Sequence, residues 1–194
     1  MNRPMPQNAT VTPLRAVRLE SAQRAPLPPW CDLVVEEQDR WLVLGDAPRE
    51  SDPEAWMRDL SGISVEDLLE AAAESEPVEG GSVLMRTDRP PRLLAVVHDL
   101  DGRITVHQEW VRTALTTILR LATRTRVRGL ALPILGGGGA IDAAEPFGDL
   151  LAELIRRDGP SRLRIALLAP PGITRRVATA MRQAAPDLRV KCRD

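Results

Sequence analysis

The second half of the chain alternates short apolar runs with longer amphipathic ones, and this order constrains the fold more than any other feature. Strands are predicted for four apolar runs, residues 82–86, 93–98, 129–135 and 163–168. Helices are predicted where apolar residues recur with helical spacing, at residues 110–122, 146–155 and 173–181. Strands that alternate with helices favour a sheet with helices on both faces. We therefore predict a three-layer α/β/α sandwich on a mixed sheet of about six strands.

The flanking segments have shorter patterns. Strands are predicted at residues 14–20, 31–37 and 41–45, with a tight turn at 38–40 and an edge strand at 187–191. Helices are predicted near residue 53 and from residue 64, where a capping-box pattern precedes an apolar stripe. Residues 1–13 are polar and rich in proline, so we expect a mobile arm before a single domain at 14–194.

Composition excludes several classes of protein. Hydrophobic residues make up 43% of the 194 residues, which is typical of a globular domain rather than a disordered chain. The two cysteines, Cys31 and Cys192, have no metal-ligand spacing with His98 or His107, so we expect neither a metal nor another cofactor. No stretch has the character of a secretory signal or a membrane span. A cytoplasmic protein without membrane contacts is expected.

Charge is unevenly distributed although the formal net charge is only -1. Residues 32–79 carry 15 acids and 3 bases, whereas residues 80–194 carry 11 acids and 19 bases. An acidic half folded against a basic half would explain this, as would a basic half that attracts a phosphate ligand. Aromatic residues are scarce, so a face of stacked aromatic side chains, as single-strand nucleic-acid readers use, is not expected. The overall charge is not basic enough to indicate a binder of duplex DNA.

Four consecutive glycines, at residues 136–139, follow the predicted strand 129–135 directly, and a helix begins near Pro146. Glycine permits positive φ and places no Cβ between the backbone and a ligand. Successive N–H groups would then converge on one anion, assisted by the positive end of the helix. The spacing is not that of a nucleoside-triphosphate P-loop. The sequence predicts a phosphate-binding loop, and a flexible turn is the alternative.

Three motifs resemble those of macro domains, the family that binds ADP-ribose and related nucleotides. Residues 80–87 (GGSVLMRT), 93–98 (LLAVVH) and 131–139 (ALPILGGGG) resemble two strands and the diphosphate loop of that family. The resemblance implies a macro-domain fold and ligand contacts from the loop. The residues concerned are Gly136, Gly137, Gly138, Gly139, Ala140 and Ile141, with Gly138 on the family's central loop glycine.

The N-terminal motifs depart from the family pattern. Residues 32–35 (DLVV) resemble a strand of the family, and the resemblance implies ligand contacts from Asp32 and from Ser21. Glu36 and Asp39 occupy the places of two asparagines that orient ribose hydroxyls and the attacking water, and the glycine-rich catalytic loop is absent. Glu36 or Asp39 is conceivable as a general base, and solvated acids at a strand end are the alternative.

These observations leave three functions open. The first is non-catalytic binding of ADP-ribose or a related nucleotide, as a reader or sensor. The second is an interaction or structural module that has lost nucleotide binding, with a protein partner; Trp41 and Trp56 border the acidic segment and would mark such an edge. The third is an ADP-ribosyl hydrolase with a rebuilt site. Arginines 124, 126 and 128 would neutralise a helix terminus or contact a phosphate or partner.

Overall fold

The computed structural model describes residues 15–22, 26–42, 76–99, 104–137 and 141–193. In these residues the strands are β1 (Ala16–Ser21), β2 (Leu33–Asp39), β3 (Val83–Arg86), β4 (Arg92–Asp99), β5 (Thr105–Val106), β6 (Gly129–Leu132), β7 (Arg162–Leu167) and β8 (Arg189–Arg193). The helices are α1 (Gln108–Arg124), α2 (Ala144–Asp158) and α3 (Pro171–Ala184), with a 3-10 turn at Ile141–Ala143. The predicted arm and the helices predicted near residues 53 and 64 lie outside the described residues.

The described strands form one mixed sheet in the order β3-β4-β2-β6-β7-β1-β8, with β5 added beside β4. The pairs that join β4, β2, β6, β7, β1 and β8 are parallel, whereas β3 and β5 run antiparallel to β4. The predicted α/β fold with a mixed sheet is confirmed. The described part of the chain contributes eight strands rather than about six, and the short strand β5 gave no sequence pattern.

All three described helices pack on one face of the sheet. Each of the connections β4-α1-β6, β6-α2-β7 and β7-α3-β8 advances in the same direction across the strand order. Right-handed crossovers that advance in one direction place their helices on the same face. The main core lies between these helices and strand residues such as Leu19, Val35 and Ile165. The other face carries a smaller cluster of Cys31, Val34, Ala131 and Ala166, packed against Leu27 and Trp30.

Three predicted boundaries were wrong near the ends of strands. The tight turn predicted at 38–40 begins at Arg40, because Gln38 and Asp39 still pair with β4 across a bulge. Trp41 and Leu42 lie in that turn, with Leu42 at a φ of 59°, rather than in a strand. Strand β6 ends at Leu132 instead of residue 135, because the following Pro133 has no N–H to donate to a neighbouring strand.

Candidate functional site

Six parallel strands end at the same edge of the sheet, and the loop after β6 lies at the middle of that edge. We call this the carboxyl edge. Ser21 ends β1, Asp39 ends β2, Asp99 ends β4, and the chain enters the glycine loop after Leu132. Open α/β sheets bind ligands at the carboxyl ends of their strands. The fold therefore places the predicted loop where such a sheet would hold a ligand.

Gly136 and Gly137 are required by the packing of the protein itself. Gly136 has a φ of 72°, and a Cβ added there would clash with Cγ1 of Val106. A Cβ added at Gly137 would lie 2.6 Å from Cγ2 of Ile134 and 2.9 Å from Cβ of Ala143. Both contacts point into the protein. At these two positions, close approach of neighbouring chain segments is the reason for glycine.

The N–H groups of the first two loop glycines are already engaged. The Gly136 N–H donates to Oε1 of Glu37 at 2.6 Å, and the Gly137 N–H donates to the Ile134 carbonyl at 2.9 Å. The expectation that all four glycines direct N–H groups at one anion is therefore not met by this pair. Gly138 and Gly139, to which the resemblance assigned the diphosphate, and Ala140, a further predicted ligand residue, lie outside the described residues. Ile141 begins the 3-10 turn and is exposed.

Glu37 is the carboxylate of the site that sequence reasoning missed. It is buried at the end of β2, and its Oε2 lies 3.3 Å from Nε2 of His98 at the end of β4. The expectation that His98 is a buried histidine with a hydrogen-bond partner at the sheet edge is confirmed. Alternation along β2 could have located Glu37, because it follows Leu33 and Val35 on the helix-covered side. One buried carboxylate thus joins β2, β4 and the glycine loop.

The two acids considered as general bases both interact with the protein. Glu36 forms an ion pair with Arg92 on the neighbouring strand β4. Asp39 is fully buried, and its Oδ1 accepts a hydrogen bond of 2.6 Å from the Trp41 N–H. The expectation of a solvated acid at the strand end is therefore wrong for Asp39. Its carboxylate stabilises the turn after β2.

Ser21 and Asp32 lie at opposite edges of the sheet. Ser21 ends β1 at the carboxyl edge, where its hydroxyl donates to the Ala169 carbonyl at 2.6 Å. Asp32 precedes β2 at the amino edge, and its Oδ2 accepts hydrogen bonds of 3.1 Å from the N–H groups of Arg128 and Gly129. Because parallel strands keep their ends apart, Asp32 does not reach the glycine loop. The ligand contact that the resemblance implied for Asp32 is therefore not available at this edge. Its carboxylate instead binds the backbone at the start of β6.

A second cluster of polar side chains lies at the carboxyl edge beside β2 and β4. Arg40 approaches Asp99 at 3.5 Å, and its Nε donates to the Val78 carbonyl at 3.2 Å. His107 lies 4.0 Å from the same carboxylate, and its ring contacts that of Trp110 at a centroid distance of 4.1 Å. His107 is exposed, as expected for a residue just before a helix. The edge therefore presents a cation and an imidazole near the glycine loop.

Other expectations concern residues away from this edge. The three arginines 124, 126 and 128 are exposed at the amino edge, where Arg124 occupies the last turn of α1. Over the described ranges, no cluster of His, Cys, Asp and Glu could hold a metal ion. No helix in the same part of the chain combines the length and hydropathy needed to cross a bilayer.

Solved structures identify the fold. No family model and no curated protein matches the sequence. The macrodomain of Thermus aquaticus DarG is similar over 79% of this chain and 98% of its own, at 14% identity and a TM-score of 0.51. An aspartate-to-alanine variant of the Oceanobacillus iheyensis macrodomain is similar over 88% and 93%, at 11% identity and a TM-score of 0.56. The macro domain of ganglioside induced differentiation associated protein 2 aligns over 87% and 84%, at 13% identity and a TM-score of 0.53.

These likenesses show a divergent macrodomain fold, as the three sequence motifs predicted. The alignments cover most of each known domain, so the likeness extends well beyond the glycine loop. At 11 to 14% identity, likeness of fold does not carry the chemistry of a site with it. The function of this chain depends on the residues at its own carboxyl edge.

Proposed function

We propose that this chain binds ADP-ribose or a related phosphate-bearing nucleotide at the carboxyl edge of its sheet, as a reader or sensor that does not turn its ligand over. The observation that carries the proposal is the position of the glycine loop. It follows a central strand of a macrodomain fold and is fixed at its first residue by a buried carboxylate. Macro domains, which this chain resembles, bind ADP-ribose.

The phosphates would bind beyond the part of the loop that is engaged internally. Because the N–H groups of Gly136 and Gly137 donate to the protein, the anion would be held by residues 138–140. Helix α2 begins a few residues later, and Ala143 at its N-cap provides no side-chain acceptor for the first turn. The positive end of a helix favours a nearby anion. The loop and the start of α2 would act together on the diphosphate.

The state of the acids supports a role without turnover. A general base must have an accessible carboxylate or imidazole within hydrogen-bond reach of the attacking water. Glu36 is ion-paired with Arg92, and Asp39 is fully buried against the turn at Trp41. A hydrolase site rebuilt on either acid would require one of these contacts to open, and among the described residues the exposed imidazole at this edge, His107, is the remaining group of that kind. Turnover of an ADP-ribosylated substrate, lost in Glu36→Gln or Asp39→Asn, would establish that alternative.

A second candidate is an interaction module that has kept the fold and lost the ligand. The observation that favours it is the inward direction of the Gly136 and Gly137 N–H groups, which explains half of the glycine tetrad without any ligand. Calorimetric titration separates the two candidates. Micromolar binding of ADP-ribose, with AMP and inorganic phosphate binding more weakly, is the expected result. The absence of heat with all three compounds would favour the interaction module.

A further inference from the structure

Strands β7, β1 and β8 present a strongly basic surface on the face of the sheet opposite the helices. Side chains alternate along each strand, so that Val17 and Leu19 enter the helix-covered core while Arg18 points to the other face. The same alternation places six cations on that face. We call them the basic sheet face: Arg18, Arg162, Arg164, Arg189, Lys191 and Arg193.

Strand register brings these cations into rows. Arg18 of β1 is paired with Arg164 of β7 on one side and with Lys191 of β8 on the other. Ala16 lies in the same way between Arg162 and Arg189. Adjacent strands are separated by about 4.8 Å, so each row places cations close together. The surface extends over about 13 Å along β1 and about 10 Å across three strands.

Among the described residues of these three strands, one acid faces this surface, and it has a partner. Glu20 accepts hydrogen bonds of 2.9 and 3.1 Å from Arg164, whose guanidinium lies 3.8 Å from the ring centroid of Trp30. Arg162, Arg189, Lys191 and Arg193 are exposed, and no acid among the described residues forms an ion pair with them or with Arg18. Like charges in directly opposed positions destabilise a sheet. The arrangement therefore favours an external anion with several charges.

Protection of an exposed edge strand explains only part of this pattern. Strand β8 is an edge of the sheet, and charged side chains on edge strands oppose aggregation. That explanation accounts for Arg189, Lys191 and Arg193. It does not account for Arg18, which belongs to an interior strand and has a cation on each side, or for Arg162 on β7.

We propose that the basic sheet face binds the phosphate backbone of a single nucleic-acid strand. Five of its six cations are arginines, whose planar guanidinium binds phosphate through paired hydrogen bonds. An acidic protein partner would require an apolar or aromatic anchor. Within these rows the apolar members are Ala16 and Ala166, and the ring of the adjacent Trp30 is covered by the Arg164 guanidinium. Contacts to phosphates need no apolar anchor. The basic sheet face is about 10 Å wide, which accommodates one nucleic-acid backbone. This surface is separate from the glycine loop, so it stands without the proposed nucleotide site.

Fluorescence anisotropy with a labelled oligothymidylate of about 20 nucleotides tests this proposal with the full chain. With three or four phosphate contacts, affinity should fall about 20- to 50-fold between 50 and 200 mM salt. The triple variant Arg162→Glu, Arg189→Glu, Lys191→Glu should lose at least about tenfold in affinity at 50 mM salt. These substitutions place acids beside Arg18 and Arg164. The triple variant should keep the fold of the wild type, which circular dichroism would check.

The matched control reverses three arginines on the helices. The variant Arg120→Glu, Arg156→Glu, Arg176→Glu has the same net charge but alters ion pairs made by the three helices. It should retain most of the affinity for the oligonucleotide. Three results would overturn the proposal: no binding of the oligonucleotide at 50 mM salt, equal losses in both triple variants, or equally tight binding of polyglutamate. ADP-ribose titration of the first variant reports separately on the nucleotide site.

Discussion

Glu37 accepts a hydrogen bond of 2.6 Å from the Gly136 N–H, so a buried acid at the end of β2 fixes the first residue of the loop that follows β6. The other oxygen of the same carboxylate lies 3.3 Å from Nε2 of His98 at the end of β4. Three neighbouring segments of the carboxyl edge therefore share one side chain. Its removal should affect both stability and the shape of the loop.

Substitution of Glu37 tests this relationship. Glu37→Ala leaves the Gly136 N–H without its acceptor and should cost about 1–3 kcal/mol of unfolding free energy. Glu37→Gln keeps an oxygen acceptor without the charge and should cost less than Glu37→Ala. Urea unfolding measures both values, and ADP-ribose titration should show weaker binding for the alanine variant. Equal stability of the two variants would contradict the role assigned to this hydrogen bond.

Gly136 should not tolerate a side chain. Gly136→Ala combines an unfavourable positive φ, which costs about 1–2 kcal/mol, with a Cβ that would contact Val106. Adding Val106→Ala should recover part of the lost stability, because it removes the steric contact and leaves the backbone strain. Gly172→Ala is the control, since a Cβ at that exposed helical position meets no atom within 4 Å. Thermal unfolding should show a clear loss for Gly136→Ala and none for Gly172→Ala.

The two cysteines should differ in reactivity. Burial, together with a smaller effect of the nearby Asp32 carboxylate, raises the pKa of the Cys31 thiol to about 11. Because the pKa is raised, the reactive thiolate is scarce at pH 8 and increases only as the pH approaches that value. Iodoacetamide at pH 8 should therefore modify Cys192 before Cys31, as followed by mass spectrometry. Rapid modification of Cys31 in the folded protein would contradict its placement.

The crowding of cations around Arg18 should be visible in stability. Arg18→Gln removes a cation whose register partners on the two neighbouring strands, Arg164 and Lys191, are also cations, and should stabilise the protein by about 0.2–1 kcal/mol at low salt. Added salt should reduce this difference, because it screens charges at a surface. Urea unfolding at 20 and 500 mM salt measures both effects. A destabilised variant at low salt would show that Arg18 has a favourable partner.

Sequence patterns predicted the described helices and most strands because each has a strong period. Apolar residues between Trp110 and Ala122 recur with helical spacing, and the strand predicted at 93–98 is apolar except for His98. The short strand β5 escaped prediction, since two residues establish no period. Pairing with β4 stabilises it there.

The site was harder to predict because its contacts join residues distant in sequence. Glu37 and Gly136 are 99 residues apart, and no local pattern indicates which acid will meet the loop. Asp32 was assigned to the ligand by resemblance alone, and the parallel sheet carries it to the opposite edge. The glycine run itself was conspicuous, yet packing against Val106 and Ile134 explains its first two members.

The most direct test of the nucleotide site is titration of ADP-ribose into the wild-type chain and two glycine variants. Gly138→Glu places a bulky acid in the part of the loop proposed to hold the diphosphate. Gly172→Glu makes the same change on α3, where nothing lies within 4 Å of the new Cβ. Micromolar binding by the wild type and Gly172→Glu, lost in Gly138→Glu, is the predicted result. No binding by the wild type, or equal binding by all three proteins, would contradict the proposed site.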